Sequence, residues 1–426
     1  MPYLDQAAKL MASSPYRILA REEGESNSVR FFQGAPAKIA DLRAGLGVRR
    51  ALIRGNRLFS FEKFRDTFAK GTGGQTFVIT ADTGEGKSTF FKQLALELES
   101  THVVLLWHTV RKHDPGLLKD LRGRLNEDGL GLLVVAELDP KLTEVDLSEF
   151  ASKTSSDPLP CPLLIAGTSA ELAHCPIRGA DWLHFAALDE VAAAELLAQM
   201  ATVVRLTEDS AELDRQVPNL RQFVAKPDLG VFSKGPLIVS LLKATYGNDF
   251  RARLHQEYIR LDATGMGRLY RLVCFAHAVG LGLETRLLPK LLPRLDIAGS
   301  LAGLGGIAAF HLEEDSLTSR HPVIAKTLLL ELHQLDGAPF AQFVGEFFAA
   351  ADPQVKEDRD FIRSLLAGYE RWSPVTKDTD DKVKPKSVFQ KSKSFVSGWY
   401  DFTSGLSPNL FQDRDAKCIP VSQQSH

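Results

Sequence analysis

Thr76-Phe77-Val78-Ile79-Thr80 is a short, β-rich apolar run that leads directly into Ala81-Asp82-Thr83-Gly84-Glu85-Gly86-Lys87-Ser88. The second stretch matches the phosphate-loop pattern GxxxxGK[ST], except that Ala81 stands where the first glycine usually sits. Each residue type has a chemical reason to be there. Gly84 and Gly86 let the backbone bend so that successive N–H groups face one phosphate chain. The helical pattern Lys87–Leu98 adds the positive end of its dipole. Lys87 would bridge the β- and γ-phosphates, the Ser88 hydroxyl would complete a Mg²⁺ shell, and Thr89 extends the polar edge. A strand before the loop and an amphipathic helix after it are the context this motif requires, so the sequence predicts binding of ATP or ADP with Mg²⁺.

Hydrolysis needs, in addition, an acidic group on a neighbouring strand. Leu132-Leu133-Val134-Val135-Ala136-Glu137-Leu138-Asp139 is the candidate. In the usual hhhhDE arrangement the Asp would fall at Ala136, which cannot touch a metal, and the catalytic Glu at Glu137. Either Asp139 substitutes as the metal residue, or the metal site is weak and hydrolysis slow; an ordinary buried strand followed by solvated acids is the bland alternative. Thr168-Ser169, after the apolar run Leu163–Gly167, sits where a polar residue could sense the γ-phosphate, although turns after strands are rich in Thr and Ser anyway.

Further out, continuous apolar runs alternate with helical patterns. Runs at Thr76–Thr80, His102–Trp107, Leu130–Ala136 and Leu163–Gly167 predict a parallel sheet with helices on both faces, an α/β P-loop NTPase core. The expected organisation is an N-terminal lead over 1–70, this core over 71–187, a helical subdomain over 188–250, and a winged-helix-like domain over 251–335. C-terminal helices follow over 336–372, and a charged, aperiodic tail over 373–426 reads as disordered; its Phe395, Trp399 and Tyr400 are a candidate docking segment. In the third block, helices are predicted at Gly267–Val279 and Glu284–Leu292. A hairpin follows, pairing Ala308–Leu312 with Ser316–Ser319. A helix over Glu212–Val224 should break at Pro218.

With 426 residues, two or three domains are expected at about 150 residues each. Fifty-one Lys and Arg against fifty-three Asp and Glu leave a net charge of −2, which argues against a protein whose main business is coating nucleic acid. Four cysteines (Cys161, Cys175, Cys274, Cys418) without a CxxC pair suggest neither a disulfide framework nor zinc. No apolar run reaches a membrane span, and no secretory signal is visible. The expectation is a soluble cytoplasmic protein.

With these pieces in order, the chain resembles the STAND class of AAA+-related signalling ATPases, in particular the bacterial branch found in antiphage defence. The likeness covers roughly residues 30 to 335. It rests on Val48-Arg49-Arg50 before the loop, where the family has its hhGRE nucleotide-base motif, on Ala81–Ser88, and on Leu132–Glu137. Phe185-Ala186-Ala187-Leu188-Asp189-Glu190 is like the entry to the family's helical subdomain. Gly235-Pro236-Leu237 is similar to a GxP-type motif, and Ser319-Arg320-His321-Pro322 lies where related proteins carry a His. The resemblance implies that Arg49 and Arg50 lie near the base, Pro236 near the adenine and His321 at the β-phosphate. Arg49 and Arg50 could equally be surface charges, Pro236 a first-turn helix proline, and His321 a satisfied histidine. It also implies a molecular switch that oligomerises on activation. The effector and sensor segments usual in the family are not evident, so the expectation is a stripped NTPase core, a truncated product of a longer gene, or a protein whose effector or trigger is supplied by another chain. Two alternatives remain: a DNA-associated ATPase using its winged helix, and an inactive nucleotide-binding scaffold.

Overall fold

The computed structural model describes residues 14–21, 25–109, 114–139, 142, 144–232, 237–247, 250–293, 310–313, 315–336 and 340–372. Strands β1 (Tyr16–Ile18), β2 (Leu52–Arg54), β3 (Arg57–Phe59), β4 (Thr76–Thr80), β5 (His102–His108), β6 (Gly131–Glu137), β7 (Leu163–Gly167) and β8 (Asp181–Phe185) form one sheet. Its order is β1-β5-β6-β7-β4-β8-β2-β3. The five central strands run parallel, while β1 and the β2–β3 pair close the two edges antiparallel. This is a P-loop NTPase fold, with β7 inserted between the loop strand β4 and β6.

The four expected strands are present. The fifth parallel strand, β8, escaped the sequence because its residues alternate: Trp182 and His184 are exposed, whereas Leu183 and Phe185 are buried. A central strand covered on both faces reads as a continuous apolar run; one with an open face does not.

Pleating divides the central sheet into two cores. Val78, Val134, Ala136 and Ile165 face the helices Pro115–Glu127 and Glu144–Ser156. Phe77, Ile79, Val135 and Ala166 face the helices Phe61–Ala69 and Lys87–Leu98. The second core is dense in aromatics: the Phe61, Phe64, Phe68, Phe77 and Phe90 rings meet mostly edge-on, a favoured arrangement.

After the sheet, Asp189 caps the helix Glu190–Leu206 by accepting the Ala192 N–H. The expected break at Pro218 is present, between helices Ser210–Gln216 and Leu220–Ala225. Helices Leu237–Tyr246, Phe250–Ala263, Gly267–Ala278, Pro322–Asp336, Phe340–Ala350 and Lys356–Trp372 then build a C-terminal region on its own core, with Tyr270, Phe275 and Phe347 fully buried. Within it lies a three-stranded antiparallel sheet, β10-β11-β9, of Phe310–Glu313, Ser316–Ser319 and Leu283–Glu284. The expected helix Glu284–Leu292 is shorter than the sequence suggested. Leu283–Glu284 joins this sheet, a 3-10 turn follows over Thr285–Leu287, and only Leu288–Leu291 is α-helical. Pro289 belongs to a first turn and would break a helix interior, which fixes where the helix begins. The tail 373–426, with its candidate docking segment, lies outside the described residues. Among the described residues, no helix is long and apolar enough to cross a membrane. Cys161, Cys175 and Cys274 are buried free thiols.

Candidate functional site

The loop 81–86 joins the end of β4 to the helix Lys87–Leu98. Gly84 and Gly86 have φ of +89° and +91°, values an L side chain rarely adopts, so the two glycines occupy the positions that only glycine fills easily. Gly86 is the N-cap of the helix. The Glu85 carboxylate folds back to accept the Asp82 N–H at 3.0 Å, and Ala81 N–H donates to Gly167 O at the end of β7. Ala81, in the slot of the missing glycine, is buried against the sheet, so its methyl is accommodated there.

Lys87 is buried, with Nζ donating to the Ala81 and Asp82 carbonyls at 3.3 Å and lying 3.9 Å from a Glu137 carboxylate oxygen. Ser88 Oγ donates to Glu137 Oε2 at 2.6 Å. This contact follows from strand parity. Residues 133, 135 and 137 of β6 point to the face that carries the helix Lys87–Leu98, whereas Ala136 points to the opposite core and is fully buried. The slot that the hhhhDE alignment assigns to an Asp therefore faces away from the loop, and Glu137 faces towards it. Asp139 lines the same cleft, its N–H bonded to Thr109 Oγ1, but the Ser88 hydroxyl is bonded to Glu137. A hydroxyl and a carboxylate beside a lysine are hard oxygen donors of the kind Mg²⁺ takes together with phosphate and water. Among the described residues there is no cluster of three His, Cys, Asp or Glu that could cage a metal. The residues present thus fit a metal held jointly with a phosphorylated ligand.

The loop borders a cleft of about 2100 Å³, larger than the roughly 300–1,000 Å³ of a common ligand pocket. Thr83 and Thr89 line it as well. Thr168 caps the short helix Ser169–Ala173: its hydroxyl accepts the Glu171 N–H, and the Glu171 carboxylate accepts the Thr168 N–H. Both residues line the cleft.

The arginine pair is divided. Arg50 is buried, stacks over the Phe185 ring at 4.6 Å, and donates to the Glu85 carbonyl at 2.7 Å and to the Ala186 carbonyl. Burial lowers its pKa. Arg49 points to the surface and pairs with Glu97; it lies outside the cleft. Pro236 and Gly235 lie outside the described residues.

The far side of the cleft comes from distant parts of the chain. Ile238, at the start of the helix Leu237–Tyr246, donates its N–H to Gly84 O at 3.1 Å. A Cβ built on Gly84 would lie 2.3 Å from Ile238 Cγ2 and 3.2 Å from His321 Cε1, so the helix start and His321 rest directly on the loop. The Val323 N–H donates to His321 Nδ1 at 3.1 Å. In the neutral ring the proton is then on Nε2. Burial, and then Lys87 and Lys326, push the His321 pKa down to about 3, which keeps the ring neutral. Its neighbour Arg320 is buried and forms a two-pronged pair with Glu257 at 2.7 and 2.8 Å, and donates to Tyr246 Oη at 3.0 Å. Tyr270 Oη also donates to Glu257, at 2.9 Å. This network ties helices Leu237–Tyr246, Phe250–Ala263 and Gly267–Ala278 to the segment bearing His321. Sequence reading did not single out Arg320, Glu257 or Ile238; only Arg320 had a signal, its place beside His321.

No protein-family model matches the chain, and no curated protein matches it. Among solved structures, it is similar to a Walker-type ATPase of Pyrococcus abyssi, with 14% identity over 60% of this chain and 91% of that one and a TM-score of 0.24. It is also similar to a STAND protein with a tetratricopeptide repeat sensor from Pyrococcus horikoshii, at 9% identity and a TM-score of 0.33. That likeness covers 75% of this chain and 48% of the other, so the chain spans about half the length of that protein. RuvB of Thermotoga maritima is a third, at 14% identity over 57% of this chain and 84% of that one, with a TM-score of 0.22.

Proposed function

We propose that this chain binds ATP and ADP with Mg²⁺ between the loop and the C-terminal helices, hydrolyses ATP slowly, and works as a STAND-type switch in signalling or defence. The observation that carries the reading is the Ser88–Glu137 hydrogen bond with Lys87 beside it. It joins the loop to the acidic end of β6, one strand removed from β4, as phosphoryl chemistry requires. In this reading the N–H groups of residues 83–89 cradle the phosphates and Lys87 holds the β- and γ-phosphates. Ser88 and Glu137 hold the metal and its waters, so the metal role sketched for Asp139 falls to Glu137. Bound Mg²⁺ would neutralise charge developing on the phosphates. Arg50 fixes the loop against Phe185, and His321 donates from Nε2 to a phosphate.

The residue after Glu137 supports slow turnover. Leu138 is buried and apolar, so the position next to the metal carboxylate cannot orient an attacking water. The switch reading is supported by the convergence of the phosphate loop, the helix Leu237–Tyr246 and the segment Arg320-His321-Pro322 on one cleft, because a ligand touching all three biases how they pack. An effector or trigger from another chain, and oligomerisation on activation, belong to the same proposal.

Nucleotide titration of wild type and Lys87→Ala tests it. The variant should lose ATP affinity about 100-fold or more, the equivalent of one or two charge-assisted hydrogen bonds. Equal affinity in the two would overturn the reading. Phosphate release that stays at background even with a partner present would favour the inactive scaffold.

A further inference from the structure

Thr109 follows the last residue of β5 and is buried. The parallel ladder between β5 and β6 ends at the pair His108–Glu137. Beyond it the Thr109 side chain takes over: its hydroxyl donates to the Glu137 carbonyl at 3.2 Å and accepts the Asp139 N–H at 3.1 Å. From the other side, the Leu138 N–H donates to Ala166 O of β7 at 2.8 Å. The three residues at the tip of β6 are therefore pinned from both neighbouring strands. Alternation along the strand then fixes where each side chain points. Leu138 goes into the core, and Glu137 goes to Ser88 and Lys87.

Satisfying two backbone groups does not by itself call for a hydroxyl here. Thr109, Glu137 and Asp139 all line the cleft, so water could serve the Glu137 carbonyl and the Asp139 N–H about as well as a side chain does. Water would not hold the two groups at a fixed spacing. The carboxylate carried by that spacing stands beside Ser88, where the two side chains offer hard oxygens to a cation shared with a phosphorylated ligand. Such a ligand has to be held within about 0.5 Å of its working position. If the tip of β6 could shift, the Ser88–Glu137 pairing would be lost first. Lys87 and the loop N–H groups, which belong to β4 and its helix, would stay in place.

We propose that Thr109 is a positioning residue, which holds the Glu137 carboxylate at Ser88 through the tip of β6 and so sets how strongly Mg²⁺ supports nucleotide binding. This rests on the nucleotide-binding reading above and adds to it a residue that acts through the backbone of Glu137.

Calorimetric titration of the full chain with ADP, once with Mg²⁺ and once with EDTA, separates the possibilities. Thr109→Val keeps the shape and removes both hydrogen bonds. It should lower the gain in affinity that Mg²⁺ brings by about 10-fold, as expected when the partner of a metal ligand is removed. Affinity in EDTA should stay at the wild-type value, which also shows that the variant is folded. Thr109→Ser should recover most of the gain, because it restores the hydroxyl. An unchanged ratio of the two affinities in Thr109→Val, or loss of binding in both conditions, would make the hydroxyl a structural clamp alone and overturn the proposal. A loss that Thr109→Ser does not recover would overturn it too, by assigning the effect to packing. Wild-type protein that binds ADP equally well in EDTA would overturn this proposal and leave nucleotide binding intact. Wild-type protein that binds no nucleotide in either condition would overturn both.

Discussion

The two walls of the cleft are made in opposite ways. One is a contiguous stretch, residues 81–89, with the Glu137 carboxylate brought to Ser88 from the end of β6, across β7. The other is assembled from Ile238, Glu257, Arg320 and His321, which come from separate helices and from the end of the small sheet. The first wall is held by local backbone geometry and needs little else to form. The second exists only when the C-terminal core has packed. A change in packing can therefore move the second wall without disturbing the first, and this asymmetry is what a ligand-responsive cleft requires.

The largest expected effect tests what holds the second wall. Arg320→Ala removes a buried guanidinium and leaves the half-buried Glu257 beside Tyr246 and Tyr270 without its partner, and should cost about 3 kcal/mol in urea unfolding of the full chain. Replacing both partners together, Arg320→Met with Glu257→Leu, should recover much of that loss, since a well-packed apolar pair is often neutral. If Arg320→Ala unfolds at the wild-type urea concentration, the ion pair is not what fixes the wall.

A smaller effect tests the contact between the walls. Gly84→Ala forces a side chain into positive φ at about 1–2 kcal/mol and drives its Cβ into Ile238. Thermal unfolding should show a loss of about 2 kcal/mol. Pairing it with Ile238→Ala should remove the steric share of the nucleotide-binding defect. A Gly84→Ala protein with wild-type stability and affinity would mean that the walls do not touch in solution.

The smallest effect is a pH slope. In the unfolded chain His321 takes up a proton near 6.5, and in the folded chain only near 3. Below 6.5 the unfolded state thus binds more protons, and stability falls as pH falls. Between about pH 6.5 and 5.5 the His321 contribution should be roughly 1 kcal/mol, and His321→Asn should lack it. Parallel unfolding curves for the two proteins across that range would show that the ring is solvated rather than buried against the loop.

The same asymmetry explains what the sequence made legible. The loop, its strand and its helix could be read because their signals are local: an apolar run, two glycines and a lysine at fixed spacing. Glu137 was recognised as an acid, but its role depended on parity, on which face of β6 the loop helix covers, and that is a property of the sheet. β8 was missed because one of its faces is open. Arg49 and Arg50 looked equivalent, and only the tertiary structure sends one to Glu97 and the other to Phe185.

Ile238 carries a consequence of another kind. Its side chain fills the space beside Gly84 and also the space beside Gly34, whose φ is +87° and whose missing Cβ would lie 2.3 Å from Ile238 Cδ1. Two glycines far apart in the chain are thus kept side-chain-free by one isoleucine. Across evolution the three positions should behave as a single inherited character. Lineages that enlarge position 34 or 84 should carry a smaller residue at 238, and the signature of the cleft's closure would then be a pattern of covariation rather than a conserved motif.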